Sequence, residues 1–255
     1  MRYALIGDIH GADLNPLEEI LTEVDALICT GDFDSVDSIL QFKEMGKRLF
    51  CDHKKKIYCL PGNHDYEHVK KELLLSCITV KGEPISYAQL NHQLHNGSER
   101  SQRALKFLKK LIRVTDKTTN LDKNQYGKQF RTVIVHGGLA GDLLSSGINS
   151  SHPKPELWYR LKYAKDYQMN FEIMEENNIT IMIRGHDHGE HHYQEYATIN
   201  TKDEIQIFTP PHRKHYQLLQ ERKHIINPGA ICRDDFAIIE TGMDIRCPVL
   251  IYQRF

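Results

Sequence analysis

Five short polar motifs, each placed directly after a short apolar run, constrain this chain more than any other feature. They are Asp8-Ile9-His10, Gly31-Asp32, Gly62-Asn63-His64-Asp65, His136-Gly137-Gly138 and Gly185-His186-Asp187-His188. The runs before them, at 3–7, 25–30, 57–60, 132–135 and 179–183, have the length and apolar content of strands. Helical patterns follow the first ones. Leu17, Ile20, Leu21 and Val24 repeat at helical spacing after Pro16, and Val36, Ile39, Leu40, Met45 and Leu49 do so over 36–50. Strands alternating with helices imply parallel crossover units and an α/β fold. Open α/β sheets hold their ligands beyond the carboxyl ends of the strands. One parallel sheet would therefore bring all five motifs to one edge.

The rest of the chain is less sharply patterned. A strand or hairpin is expected within 77–97, a basic helix over 98–114 with Leu105, Leu108, Leu111 and Ile112 inward, and loops at 115–129 and 141–155. A helix is expected over 156–177 and short strands at 205–209, 224–226, 236–240 and 249–252. These fit a single domain over 1–255, with a helical cap or insertion at about 84–130. Another helix is expected from Tyr66 to about Leu75.

The motif residues have the chemistry of a metal site. Asp8 and His10, two apart, can both lean toward one centre where a strand becomes a loop. His186 and His188 can do the same on a turn whose Gly185 and Gly189 permit unusual backbone angles. Imidazole and carboxylate suit borderline divalent metals, manganese first, with iron or zinc as alternatives. A bridging carboxylate can hold two such ions roughly 3.5–4 Å apart, where they lower the pKa of a shared water and neutralise phosphate oxygens. A histidine left over can protonate the leaving alkoxide.

In this order the motifs resemble those of the calcineurin-like metallophosphoesterase superfamily, from residue 3 to about 190. Asn227-Pro228-Gly229-Ala230 resembles the Asn-Pro-Gly-Ser tail of its small phosphodiesterase-like members. The resemblance implies two packed mixed β-sheets flanked by helices, a four-layer sandwich. It implies one metal on Asp8, His10, Asp32 and His188, and a second on Asp32 as bridge with Asn63, His136 and His186. His64 becomes the proton donor, and Asp65 is placed to orient it. The chain departs from the protein Ser/Thr phosphatase branch, whose second motif is Gly-Asp-x-x-Asp-Arg-Gly. Here Gly31-Asp32-Phe33-Asp34-Ser35 lacks that arginine, and Arg184 is the candidate to restore substrate-facing charge. Asp34 and Asp37 are expected in solvated or helix-capping positions. His191, His192, His212, His215 and His224 are expected on the surface or in loops.

Bulk properties narrow the function. The 255 residues carry a net charge of -1, so no global field recruits nucleic acid or an anionic membrane. The six cysteines show no Cys-x-x-Cys spacing, and no apolar stretch approaches the ~20 residues of a transmembrane helix. No signal-peptide pattern is read at the start, so a reduced, cytoplasmic enzyme is expected. The leading expectation is a phosphohydrolase acting on a phosphodiester or small phosphomonoester. A nuclease of the same superfamily is an alternative that the charge balance disfavours. A scaffold on the same fold is another, disfavoured because every ligand position is filled.

Overall fold

The computed structural model describes residues 1–50, 55–70, 77–80, 83–121, 129–143, 148, 150–187, 194–199, 204–242 and 246–255. In chain order the strands are β1 (Arg2–Ile6), β2 (Ala26–Cys29), β3 (Lys56–Cys59), β4 (Cys77–Val80), β5 (Glu83–Ser86), β6 (Asp116–Asn120) and β7 (Arg131–Val135). They continue with β8 (Ile181–Ile183), β9 (Glu195–Ile199), β10 (Ile205–Phe208), β11 (His215–Gln217), β12 (Lys223–Asn227), β13 (Asp235–Glu240) and β14 (Val249–Arg254). The helices are α1 (Leu17–Thr22), α2 (Val36–Leu49), α3 (Asn63–Lys70), α4 (Tyr87–Asn96), α5 (Glu99–Leu111) and α6 (Ala164–Glu176).

Two mixed six-stranded sheets form the centre, in the orders β11-β14-β13-β1-β2-β3 and β10-β9-β12-β8-β7-β6. Strand alternation explains why they stack. On β1, Tyr3 and Leu5 face the second sheet, meeting Ile134, Ile181, Ile183 and Ile226, while Ala4 and Ile6 face helices α1, α2, α4 and α5. On the second sheet, Val133, Val135, Met182 and Ile225 face outward under Tyr167, Phe171 and Met174 of α6. The result is the expected four layers of helix, sheet, sheet and helix.

The single parallel sheet expected for the five motifs is corrected. β1, β2 and β3 run parallel in one sheet, and β7, β8 and β12 run parallel in the other. The first three motifs therefore leave one sheet and the last two leave the other. The carboxyl ends meet because the sheets stack, as the bonds from His136 Nδ1–H to Thr30 O (2.7 Å) and from His186 N–H to Asp8 Oδ2 (3.0 Å) show.

Elsewhere the differences have local causes. Residues 116–120, expected as loop, form an edge strand whose side chains are mostly exposed, so they leave no hydrophobic signal. The helix expected over 156–177 starts only at Ala164. Before it lie a 3-10 turn (Pro155–Leu157) and a bridge between Asp142 and Arg160. The hairpin expected within 77–97 is confined to β4 and β5, and the residues after it form helix α4, whose buried face carries Tyr87, Leu90 and Leu94. Helix α3 begins at Asn63 rather than Tyr66. In the 84–130 stretch, Tyr87, Leu90, Leu94, Ala104 and Leu108 share one apolar cluster with β1 and α2. Among the described residues, no helix is long and apolar enough to cross a membrane.

Candidate metal centre

The loops after β1, β2 and β8 depart from ordinary backbone where they carry motif residues. Asp8 (φ 47°), His10 (φ 43°), Asp32 (φ 59°), Asp34 (φ 52°) and His186 (φ 72°) all lie in the left-handed region. Non-glycine residues there cost roughly 1–3 kcal/mol each and persist where surrounding bonds fix them. Those bonds are present. His10 N–H donates to Asp32 O (2.8 Å) and Gly11 N–H to Phe33 O (2.8 Å), while His186 N–H reaches both Asp8 carboxylate oxygens (3.0 and 3.1 Å). Gly185 serves by close approach rather than by its backbone angle. A Cβ there would lie 2.6 Å from Thr30 Oγ1 and 2.9 Å from Asp8 Oδ2.

Asp32 is the hub. It is 1% exposed. Its Oδ1 accepts from His64 N–H (3.0 Å), and its Oδ2 lies 3.3 Å from His136 Nε2. Two ligand groups share it: His10, Asp32 and His64, and Asp32, His136 and His186. Asn63 joins the second, its Oδ1 lying 3.0 Å from both His136 Nε2 and His186 Nδ1.

The second group fits a cation on its own geometry. His136 Nδ1–H donates to Thr30 O, so a neutral ring turns its Nε2 lone pair toward Asp32 Oδ2 and Asn63 Oδ1, both acceptors. Acceptors converging in a buried site require a positive charge between them. A proton can supply it: burial pushes His136 down, yet Asp32 and the other neighbours carry it up to about 9. His186 goes well below its ordinary value, through burial first and then the charge of His136. A neutral imidazole is the form that binds a metal.

Asp34 was expected in a solvated or capping position; it is 1% exposed and sits among histidines. His10 Nδ1 and His64 Nδ1 donate to its Oδ2 at 2.5 and 2.7 Å, and His68 Nε2 lies 3.4 Å from its Oδ1. The role of orienting His64 therefore passes from Asp65 to Asp34. Asp65 instead accepts three backbone N–H groups, from Asp32 (2.8 Å), Phe33 (3.1 Å) and Gly62 (2.9 Å), clamping two motif loops together. Burial lowers His64, but Asp32 and Asp34 lift it to about 10. The spacing could have revealed Asp34, which stands two residues beyond Asp32 as His10 stands two beyond Asp8. Asp37, by contrast, is exposed as expected.

The expectation that Arg184 contacts substrate is corrected. It is fully buried, with Nε–H donating to Gly137 O (2.6 Å) and Nη2 paired with Asp187. It holds the last motif from beneath. His224 also departs from expectation: it is fully buried between Tyr196 OH and Leu219 O (both 2.8 Å). His212 and His215 are exposed as expected. His188, His191 and His192 lie outside the described residues, so the metal-one set is represented by Asp8, His10 and Asp32.

Two stacked mixed sheets with acid- and histidine-bearing loops at their shared carboxyl end define a metallophosphoesterase-type protein. The chain belongs to the calcineurin-like phosphoesterase family, whose model matches residues 1–190. A Thermotoga maritima protein solved by solution NMR is similar over 100% of this chain and 99% of its own, at 15% identity and TM-score 0.42. A conserved uncharacterized protein of Streptococcus pneumoniae, described as a predicted phosphoesterase, is 13% identical over 94% of this chain and 83% of its own (TM-score 0.36). A purple acid phosphatase from yellow lupin (Lupinus luteus) seeds is 13% identical (TM-score 0.42) over 100% of this chain and 51% of its own, so this chain spans about half of that one. No curated protein matches significantly.

Proposed function

We propose that this protein is a hydrolase that uses two divalent ions, manganese first, to cleave a phosphodiester or a small phosphomonoester. The observation that carries the reading is buried Asp32, shared by a group with His136, His186 and Asn63 on one side and by a group with His10 and His64 on the other, where Asp8 and His188 would complete the ligands and leave His64 as the acid. Bound there, the ions would neutralise phosphate oxygens and lower the pKa of a water held between them.

The chain's own residues divide the remaining work. Asp32, Asn63, His136 and His186 would hold one ion, and Asp32 again, with Asp8, His10 and His188, would hold the other. His64 is the proton donor. Its Nδ1 is committed to Asp34, so the other ring nitrogen is left to serve the leaving oxygen. With Arg184 engaged beneath the motif, Arg160 is the better candidate to meet a substrate phosphate. Its neighbours strap it to the last motif: Tyr159 O accepts from Arg184 (3.5 Å) and Leu161 N–H donates to Asp187 (2.9 Å). Its charge helps to lower His186, and its buried Nε has no hydrogen-bond partner among the described residues.

The test is hydrolysis of bis-(p-nitrophenyl) phosphate and of a panel of phosphate esters with manganese added or chelated. Metal-dependent turnover supports the reading. A manganese-loaded protein inert toward every ester would overturn it.

A further inference from the structure

Helix α4 lies outside the five motifs, yet it grips the helix that carries the acid. Tyr87 and His95, eight residues apart on α4, share one of its faces. Tyr87 O–H donates to His64 O (3.0 Å), and His95 Nε2–H donates to His68 O (2.7 Å). His68 O is among the last four carbonyls of α3, which no N–H of that helix reaches. Helix α4 therefore holds both ends of one turn of α3.

That turn faces Asp34. His64 and His68, four residues apart, are neighbours on the helix surface, and both approach the carboxylate. His64 Nδ1 donates to Oδ2, and His68 Nε2 lies 3.4 Å from Oδ1. The Tyr87 ring lies flat on the His68 imidazole, 4.3 Å between centres and 6° between planes, and meets the His64 ring edge-on. Asp34, His68 and Tyr87 are all buried.

Two atoms in this layer are unanswered. Among the described residues, neither Asp34 Oδ1 nor His68 Nε2 has a hydrogen-bond partner. A buried polar atom left unpaired is costly, and these two are complementary. The carboxylate oxygen accepts, and an imidazole with its proton on Nε2 donates. Hydrogen bonds of a catalytic group are often long before substrate binds and tighten afterwards. His10 and His64 both take Oδ2, which leaves the carboxylate free to turn about that end. A donor on Oδ1 removes this freedom, and stacking on Tyr87 keeps the plane of that donor fixed.

We propose that His68 is a positioning residue for the acid. Its Nε2–H holds Asp34 Oδ1, while Tyr87 holds the His68 ring and the His64 carbonyl, so the Asp34–His64 pair keeps one orientation toward the leaving oxygen. The inference deepens the phosphohydrolase reading and rests on His64 as its proton donor.

The test sets diphenyl phosphate, whose leaving group needs a proton, against bis-(p-nitrophenyl) phosphate, whose leaving group hardly does, with the manganese-loaded full chain. His68→Leu should lose roughly tenfold in kcat on diphenyl phosphate, a part of the ~10²–10⁴-fold that general acid help supplies, and much less on the nitrophenyl ester. His68→Gln, whose amide nitrogen can stand where Nε2 stands, should recover most of the loss. Tyr87→Phe keeps the stacked ring and loses the bond to His64 O. It should show a smaller loss with the same leaving-group dependence, and it carries the test if His68→Leu does not fold. KM and manganese content should stay as in the unaltered protein. Losses alike on both esters, or a His68→Gln protein as impaired as His68→Leu, would overturn the positioning role. Proton NMR of the metal-free full chain gives a readout apart from turnover. The Nδ1–H of His64, assigned by its loss in His64→Gln, should resonate downfield, persist in His68→Gln and broaden in His68→Leu. If the unaltered protein hydrolyses no ester, the phosphohydrolase reading fails, and this resonance alone decides the contact: a sharp, unshifted signal in His68→Leu overturns it.

Discussion

His64 Nδ1 donates to Asp34 Oδ2 across 2.7 Å, inside a loop whose Asp34 backbone is left-handed. The same carboxylate takes His10, so one anion sets both the candidate acid and a candidate ligand. Asp34→Asn should cost on the order of 10²-fold in turnover of esters with poor leaving groups, since misplacing a catalytic group costs about that much. The loss should be much smaller with nitrophenolate, which hardly needs a proton. Asp65→Asn should act differently. It loosens the clamp on the Asp32 and Gly62 loops, lowering thermal stability and affecting both ester types alike. Leaving-group series on the two variants check this; identical profiles would contradict the division of roles.

Arg184 should prove structural. Removing one partner from a buried ion pair costs about 3–5 kcal/mol. For a domain of this size that is roughly a 10 °C fall in melting temperature. Arg184→Ala should show that fall, whereas Arg160→Ala should keep its melting temperature and raise KM for phosphate esters. Thermal melts and Michaelis profiles on both variants decide it. A raised KM with unchanged stability in Arg184→Ala would return that residue to substrate contact.

Which parts were legible follows from where the signal lay. The motif-bearing strands β1, β2, β7 and β8 bury most of their residues, and β3, exposed or half-buried, is stopped by Pro61-Gly62, so apolar runs and breakers marked them. The division into two sheets was not readable from those runs, because it depends on β9, β12 and β13 inserting antiparallel or late in the chain. Strand β6 has no apolar pattern at all. Ligand-type residues were visible because imidazoles and carboxylates at strand ends are chemically conspicuous. Asp34 was missed because an acid just before a helix also reads as a cap, and here Ser35 caps instead, accepting Ser38 N–H at 2.9 Å. The role proposed for Arg160 left no sequence signal, because residues 156–163 read as helix.

The pH dependence of stability should reveal protons standing where cations belong. In metal-free protein, burial pushes His136 and His64 down, but Asp32 and neighbouring groups carry them to about 9 and about 10. Histidine in the unfolded chain titrates near about 6.5. Stability from these groups is therefore complete below that pH and is lost as pH rises through 9 and 10. Asp65 adds in the same direction only at the lower end: burial and then Asp32 raise it to about 7, so its contribution is lost as pH rises from about 4 through 7 and is constant beyond. Melting temperature in chelator should fall from pH 6 to pH 9, and the rise produced by manganese should be larger at pH 9. A manganese shift that is independent of pH would contradict this.

The bridging role proposed for Asp32 makes a separate demand. Asp32→Asn should lower the occupancy of both ions and abolish most turnover, whereas His10→Ala should leave the Asn63, His136 and His186 ion in place. Metal analysis of each variant after identical loading distinguishes them, and an Asp32→Asn protein with full metal and near-normal turnover would show that the carboxylate does not bridge.

The most direct measurement of the central claim is metal stoichiometry on protein purified without chelator, then stripped and reloaded with manganese. Two ligand groups sharing Asp32 predict up to two ions per chain, with hydrolysis of bis-(p-nitrophenyl) phosphate returning as they bind. A stripped protein that takes up no manganese, or that hydrolyses the ester equally well without it, would contradict the account.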